Sequence, residues 1–304
     1  MKHIVIIPYS YEQDIENFKK TGKFLINFSK NKSEYIFLLV NHLIKSNKEL
    51  LNIFSKIAPV EQMESVVPIL GAPEGVAATF WEIMDYINQN YEKDGGFVLW
   101  FEPDMIPIRE NWVDILAEEW RKHTNALIIG MYVQARYCKK TGFLFPEHIN
   151  GGACYAKDLA SQVPLEYKSG VCDMSLFQYI KKTRRHYKCN FFNFSHQYSL
   201  LSDMKNRQIV ILHGYLQDKD EFLSKVIRLL SNPGAGEENI LNKSKSEKQI
   251  CCDQATVGHF FVNCSIHSRN LFFKCYNRLV YYMKIIERSL FLAKDTFVGK
   301  GKDG

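Results

Sequence analysis

A rhythm near the amino end constrains this chain more than any single motif. Four short apolar runs, HIVIIP (3–8), EYIFLLVN (34–41), VVPIL (66–70) and FVLWF (97–101), fall within its first third. Each is apolar at successive positions, so a strand made from it buries both faces, as strands do in a parallel sheet covered on two sides. The segments between them carry helical spacing instead. Ile15, Phe18, Phe24, Leu25 and Phe28 mark residues 11–30, a polar helical stretch follows at 45–57, and Val76, Phe80, Ile83, Met84 and Ile87 form a stripe behind the first-turn residues Pro73 and Glu74. Strands alternating with helices in this way imply an α/β fold with a mainly parallel central sheet flanked by helices. Pro68 has no N–H for a ladder, which puts the third run at an edge or a strand end.

Beyond residue 126 the rhythm loosens. ALIIGMYV reads as a strand, INGGACYA as a turn and strand, 173–182 as a helix and IVILH (209–213) as a late strand. The chain has 304 residues, room for two domains at about 150 residues each or for one large domain with an appendage. The expected division is one α/β domain over 1–230, in halves 1–105 and 106–230. A polar, Gly- and Pro-containing linker or mobile loop covers 231–249, and a helical appendage covers 250–304. GxGxxG is absent after the first strand, which disfavours a dinucleotide fold.

Charge and cysteines exclude several classes. Lys+Arg 39 against Asp+Glu 33 gives +6, too weak over this length to imply a nucleic-acid partner but compatible with an anionic small substrate or membrane surface. The eight cysteines include no CxxC pair and read as reduced intracellular thiols. The apolar run in MKHIVIIPYS is too short for a signal peptide, and no stretch reaches the roughly 18 apolar residues of a spanning helix. A cytoplasmic protein is therefore expected. Residues 270–293 mix aromatics with Lys274, Arg278, Lys284 and Arg288. They suit a helix packed on the main domain, a homodimer face, or peripheral contact with a membrane.

The segment richest in chemistry is FVLWFEPDM. An apolar strand delivers Glu102 and Asp104 at its C-terminal end, the edge at which open parallel sheets bind ligands. Carboxylates one residue apart can turn together toward a hard divalent cation that also holds phosphate oxygens. Acidic residues also follow strands in plain loops; the position of this pair, after three strand–helix units, is what distinguishes it.

In order and spacing, residues 3–225 resemble the GT-A nucleotide-sugar glycosyltransferases, and the family 2-like enzymes among them. The resemblance implies a Rossmann-like GT-A fold with a C-terminal helical tail. It implies Mn²⁺ or Mg²⁺ held chiefly by Asp104, with Glu102 at the metal, its water or the ribose, and His213 as a further ligand. Glu in place of the usual first Asp, with Pro103 between, departs from the family pattern. The loop Pro8, Tyr9, Ser10 would hold the nucleoside, with Tyr9 stacked on the base and Glu12 at base or ribose; Gly71 and Ala72 would form the next wall. Asn150, Gly151 and Gly152 would line the donor-sugar pocket, Lys219 would meet the diphosphate, and Gly214 would let backbone approach phosphate. Asp173, at a helix start, would be the base of an inverting transfer.

Each of these residues also has a plain structural reading: a first-turn acid for Asp173, a strand-end histidine, a surface lysine, a glycine turn. The partners implied are a nucleotide-sugar donor and a glycan or glycolipid acceptor, with no nucleic acid, in polysaccharide biosynthesis. Two alternatives remain at this stage. A nucleotidyltransferase would want a Gly-rich basic loop after the first strand, which PYSYEQD lacks. A catalytically inactive GT-A-like scaffold would bind no metal.

Overall fold

The computed structural model describes residues 1–69, 74–138, 143–145, 147–168, 172–195, 200–214 and 219–232. In chain order the first half comprises β1 (His3–Tyr9), α1 (Glu12–Phe28), β2 (Tyr35–His42), α2 (Lys48–Phe54), β3 (Val60–Ser65), α3 (Glu74–Asn90), β4 (Phe97–Trp100), β5 (Met105–Pro107) and α4 (Trp112–Lys122). Then come β6 (Ile128–Gly130), β7 (Tyr132–Val133), β8 (Arg136–Cys138), β9 (Phe143–Phe145), β10 (His148–Ile149), β11 (Cys154–Ala156), α5 (Leu159–Gln162) and α6 (Cys172–Thr183). The last described elements are β12 (His186–Lys188), β13 (Phe192–Ser195), α7 (Leu200–Lys205), β14 (Ile211–Gly214) and α8 (Lys219–Ser231).

The main sheet has seven strands in the order β12-β6-β11-β4-β1-β2-β3. β1 runs parallel to both β2 and β4, β2 parallel to β3, and β12 parallel to β6; β11 lies antiparallel to β4 and to β6. β11 is thus the one reversed strand, and the carboxyl ends of β4, β6 and β12 share an edge with those of β1–β3. The expected mixed α/β architecture is what the chain adopts.

Burial follows from the apolar runs. Ile4, Val5, Ile6, Ile7 and the β2 residues Ile36 to Val40 are fully buried, each such side chain contributing about 1.5–3 kcal/mol relative to exposure. Successive residues face opposite sides, and both sides are covered. Phe101 meets Phe18 of α1 and Trp112 of α4 on one face, whereas Trp100 meets Phe80 of α3 on the other. Short polar residues set the helix starts: the Asp14 carboxylate accepts from the Ser10 and Tyr11 amides, and Asn47 Oδ1 accepts from Leu50 N–H at 2.9 Å.

Two expectations are corrected. The third strand is Val60–Ser65, not 66–70; Val66 to Ile69 lie beyond its end without regular structure, and Val66 is largely exposed. VEQMES hides because it sits at the sheet edge, where only one face needs apolar cover. Val76 faces solvent although Phe80, Ile83, Met84 and Ile87 of the same helix are buried. The expected linker from residue 233 and the tail 250–304 lie outside the described residues.

A second sheet, β13-β14-β5, has β14 parallel to β13 and antiparallel to β5. Its apolar face packs Ile106, Ile108 and Leu212 against Phe222, Leu223 and Val226 of α8. α8 is tied in turn to α1 by the Lys20–Asp220 ion pair and a 3.3 Å bond from Lys20 Nζ to Ser224 Oγ.

Candidate metal centre

The chain leaves the main sheet at Trp100 and enters the small one at Met105. The four residues between them carry both carboxylates. Phe101 is pinned by its N–H to Ile6 O at 3.1 Å, and Met105 N–H closes a turn onto Glu102 O at 3.0 Å. Pro103 suits the turn because its φ is fixed and its missing N–H is not needed there.

The small sheet supplies the third group. β14 places His213 opposite Met105 and lets Gly214 N–H donate to Asp104 O at 2.9 Å. His213 Nε2 then lies 2.9 Å from Glu102 Oε2 and 3.1 Å from Asp104 Oδ1. One ligand atom from each of the three residues falls within 4.8 Å of the others. Asp104 and His213 are buried and Glu102 is half-buried. The Phe194 ring stacks on the imidazole at 4.3 Å, 25° from parallel, and so fixes its plane.

Burial by itself would lower the His213 pKa. The adjacent Glu102 and Asp104 charges, with their hydrogen bonds, outweigh it and push the imidazole up to about 10. A divalent cation between the two carboxylates would displace that proton and leave the imidazole neutral, the form in which it can ligate. Two carboxylate oxygens and one imidazole nitrogen suit Mn²⁺ well and Mg²⁺ less so.

Glycines close the cradle. A Cβ on Gly214 would meet Phe222 Cδ1 at 2.8 Å and Asp104 Cβ at 3.2 Å, and one on Gly152 would meet Met105 Sδ at 2.9 Å. Gly214 is therefore a close-packing residue whose N–H is spent on Asp104, not a free amide aimed at phosphate. The Asn150–Gly152 turn abuts Glu102. Asn150 Oδ1 accepts from Gly152 N–H at 3.1 Å, and the Tyr155 hydroxyl donates to Gly151 O at 2.7 Å. The fold therefore brings the Asn150–Gly152 turn, about fifty residues on in sequence, against Glu102 and Met105.

The loop after β1 ends at the same edge. Pro8 is half-buried, and Glu12 stands exposed in the first turn of α1. Ser10 Oγ lies 3.2 Å from His42 Nδ1, whose Nε2 lies 2.9 Å from Val67 O, so this loop is strapped to the ends of β2 and β3. Tyr9 is 1% exposed, and its hydroxyl accepts from Asn47 N–H at 3.4 Å. Its ring belongs to the core here and offers no open face for stacking.

Asp173 is the second residue of α6, with Leu176, Phe177 and Ile180 buried behind it as expected. Its side chain, that of Lys219, and all of Gly71 and Ala72 lie outside the described residues. Sequence reading missed His42, Phe194 and Tyr155. The alternating FNFS of β13 was the available signal for Phe194.

Fold and site together define a mixed α/β protein with a candidate divalent-metal centre at the carboxyl edge of a mainly parallel sheet. No family model matches the chain, and no curated protein matches it in sequence. Among solved structures it is similar to mouse xyloside xylosyltransferase 1 in its apo form, at 13% identity and a TM-score of 0.47, over 70% of this chain and 98% of that one. It is similar to the galactosyltransferase LgtC in complex with donor and acceptor sugar analogues, at 10% identity and a TM-score of 0.45, over 75% of this chain and 95% of that one. A third is the glycosyltransferase GlyE of Streptococcus pneumoniae, at 10% identity and a TM-score of 0.44, over 75% and 63% of the two chains. At such identities the chemistry of the present chain rests on its own residues.

Proposed function

We propose that the chain is a metal-dependent glycosyltransferase that moves a sugar from a nucleotide-diphosphate donor to a hydroxyl of a glycan or glycolipid acceptor. The observation that carries this reading is the convergence of Glu102, Asp104 and His213 at the carboxyl edge of the sheet. Asp104 and His213, with Glu102, would hold Mn²⁺ or Mg²⁺, which as a Lewis acid stabilises the negative charge of a leaving diphosphate. Asn150, Gly151 and Gly152 would bound the donor sugar beside it, and Pro8, Ser10 and Glu12 would lie on the nucleoside side. Lys219, at the start of α8, would add positive charge near the diphosphate.

Asp173 would take the proton of the acceptor hydroxyl as its oxygen attacks the anomeric carbon, which gives inversion. That role rests on its place at the start of α6. The loop after β1, PYSYEQ, has neither glycine nor cation, so nothing there favours a nucleotidyltransferase. Among the described residues no helix is long and apolar enough to cross a membrane. Peripheral membrane contact or self-association through 270–293 rests on composition alone, and vesicle flotation of the full chain would test the former.

The test of the main reading is a thermal-shift screen of UDP-, GDP-, CMP- and dTDP-sugars, with and without Mn²⁺. Native-state binding raises the melting temperature by mass action. The expected result is a shift for one nucleotide that requires Mn²⁺ and disappears in Asp104→Ala. No shift with any nucleotide, with or without metal, would return the chain to the scaffold reading.

A further inference from the structure

His42 ends β2 at the carboxyl edge, buried between the loops that follow β1 and β3. The chain turns sharply just past it. Leu43 has a φ of 56°, a left-handed conformation that strains a residue with a Cβ, and its side chain is left half in solvent. That turn is locally unfavourable, and it fixes where β2 delivers its last side chain.

The hydrogen-bonding roles follow from the partners. His42 Nε2 lies 2.9 Å from Val67 O, and a carbonyl only accepts, so Nε2 carries the proton. In the neutral ring Nδ1 is then a bare lone pair, and Ser10 Oγ, 3.2 Å away, donates to it. The anchor itself is held in place. Val66 N–H donates to Glu82 Oε1 at 2.9 Å, the Ser65 hydroxyl donates to the same carboxylate, and Val67 N–H reaches Ser65 Oγ at 3.4 Å. Two more donors of the β1 loop are also spent: the Ser10 and Tyr11 amides donate to Asp14 Oδ2 at 3.1 and 3.2 Å. With its proton committed to His42, the Ser10 hydroxyl meets a ligand as an acceptor. Phosphate oxygens accept as well and do not match it, whereas ribose hydroxyls and base N–H groups donate and do.

We propose that His42 is a positioning residue for the nucleotide-sugar. By holding the Ser10 hydroxyl proton, it presents the Ser10 oxygen to an O–H or N–H of the nucleoside and leaves the diphosphate to the metal centre. This rests on the glycosyltransferase reading, which puts Ser10 on the nucleoside side. The experiment is titration calorimetry on the full chain. The probes are UDP-, GDP-, CMP- and dTDP-sugars with Mn²⁺, inorganic pyrophosphate with Mn²⁺, and Mn²⁺ alone. His42→Gln keeps an amide near Val67 O and loses the Ser10 contact; His42→Asn sets its Oδ1 where Nδ1 stood and keeps that contact. His42→Gln should weaken the nucleotide-sugar that the unsubstituted chain binds by about tenfold, as loss of one hydrogen bond does, and His42→Asn should restore most of the affinity. Ser10→Ala should match His42→Gln, and the double variant should bind no more weakly than either alone, because both remove the same bond. Affinity for pyrophosphate and for Mn²⁺ should not change. Circular dichroism should confirm folding; if His42→Gln does not fold, Ser10→Ala compared on nucleotide-sugar and pyrophosphate carries the test. Equal losses for nucleotide-sugar and pyrophosphate, additive losses in the double variant, no rescue by His42→Asn, or no loss in any variant would each overturn the proposal and leave the transferase reading intact. An unsubstituted chain that binds no nucleotide-sugar would overturn both.

Discussion

His213 shows how much a residue's meaning depends on what the fold sets beside it. In the sequence it is one of nine histidines; in the structure it bridges two carboxylates under a stacked Phe194. Glu102 and Asp104 were legible from the sequence because they follow directly on an apolar strand, and their own chain segment holds them together. Tyr9 went the other way: next to Pro8 it reads as a loop aromatic, yet it completes β1 and points into the core. Gly214 carries a sharp prediction at this scale. In Gly214→Ala the new methyl would crowd the Phe222 ring and Asp104 Cβ, an overpacking cost of about 1–3 kcal/mol. Urea unfolding should show that loss, and Mn²⁺ should bind more weakly because Asp104 is displaced. Unchanged stability and unchanged Mn²⁺ affinity would mean that this close approach is not what sets Asp104.

Among the elements, β1 organises the molecule, and its first residue tunes stability. His3 stacks on Phe97 at 4.2 Å and accepts the Phe97 N–H on Nδ1 at 3.2 Å. That bond requires a neutral ring. Burial, then the nearby Lys157 charge, lower the His3 pKa to about 4 from 6.5. The unfolded chain therefore binds a proton between about pH 6.5 and 4 that the folded chain refuses. This contribution to stability is fully present above pH 6.5 and is lost as pH falls toward 4, up to about 3 kcal/mol. Guanidinium unfolding midpoints should drop over that window, and His3→Gln should flatten the drop. An equally steep fall in His3→Gln would assign the effect to other groups. β1, β2 and β4 were legible as elements because they are buried on both faces. β3, β5, β12 and β13 were not: they are short, or covered on one side only.

For the molecule as a whole, the test is linkage between ligand and stability. A donor present at a hundredfold excess over its dissociation constant adds about 2.7 kcal/mol, which for a domain of this size raises the melting temperature by roughly 5–10 °C. Treatment with EDTA should remove most of that rise if the metal centre organises the donor, and added Mn²⁺ should restore it. A rise that survives EDTA in full would place the nucleotide elsewhere.

By itself the sequence determined the layered α/β plan and the carboxylate pair. Both depend on local pattern: the period of apolar residues decides strand or helix, and the end of a buried strand decides where polar groups can emerge. Only the tertiary structure decided that His213 meets that pair, that the Asn150–Gly152 turn closes on Glu102, and that Tyr9 is core. These depend on β5 pairing with β14 across more than a hundred residues and on β11 running against its neighbours, and long-range registers of that kind leave no periodic mark in the chain.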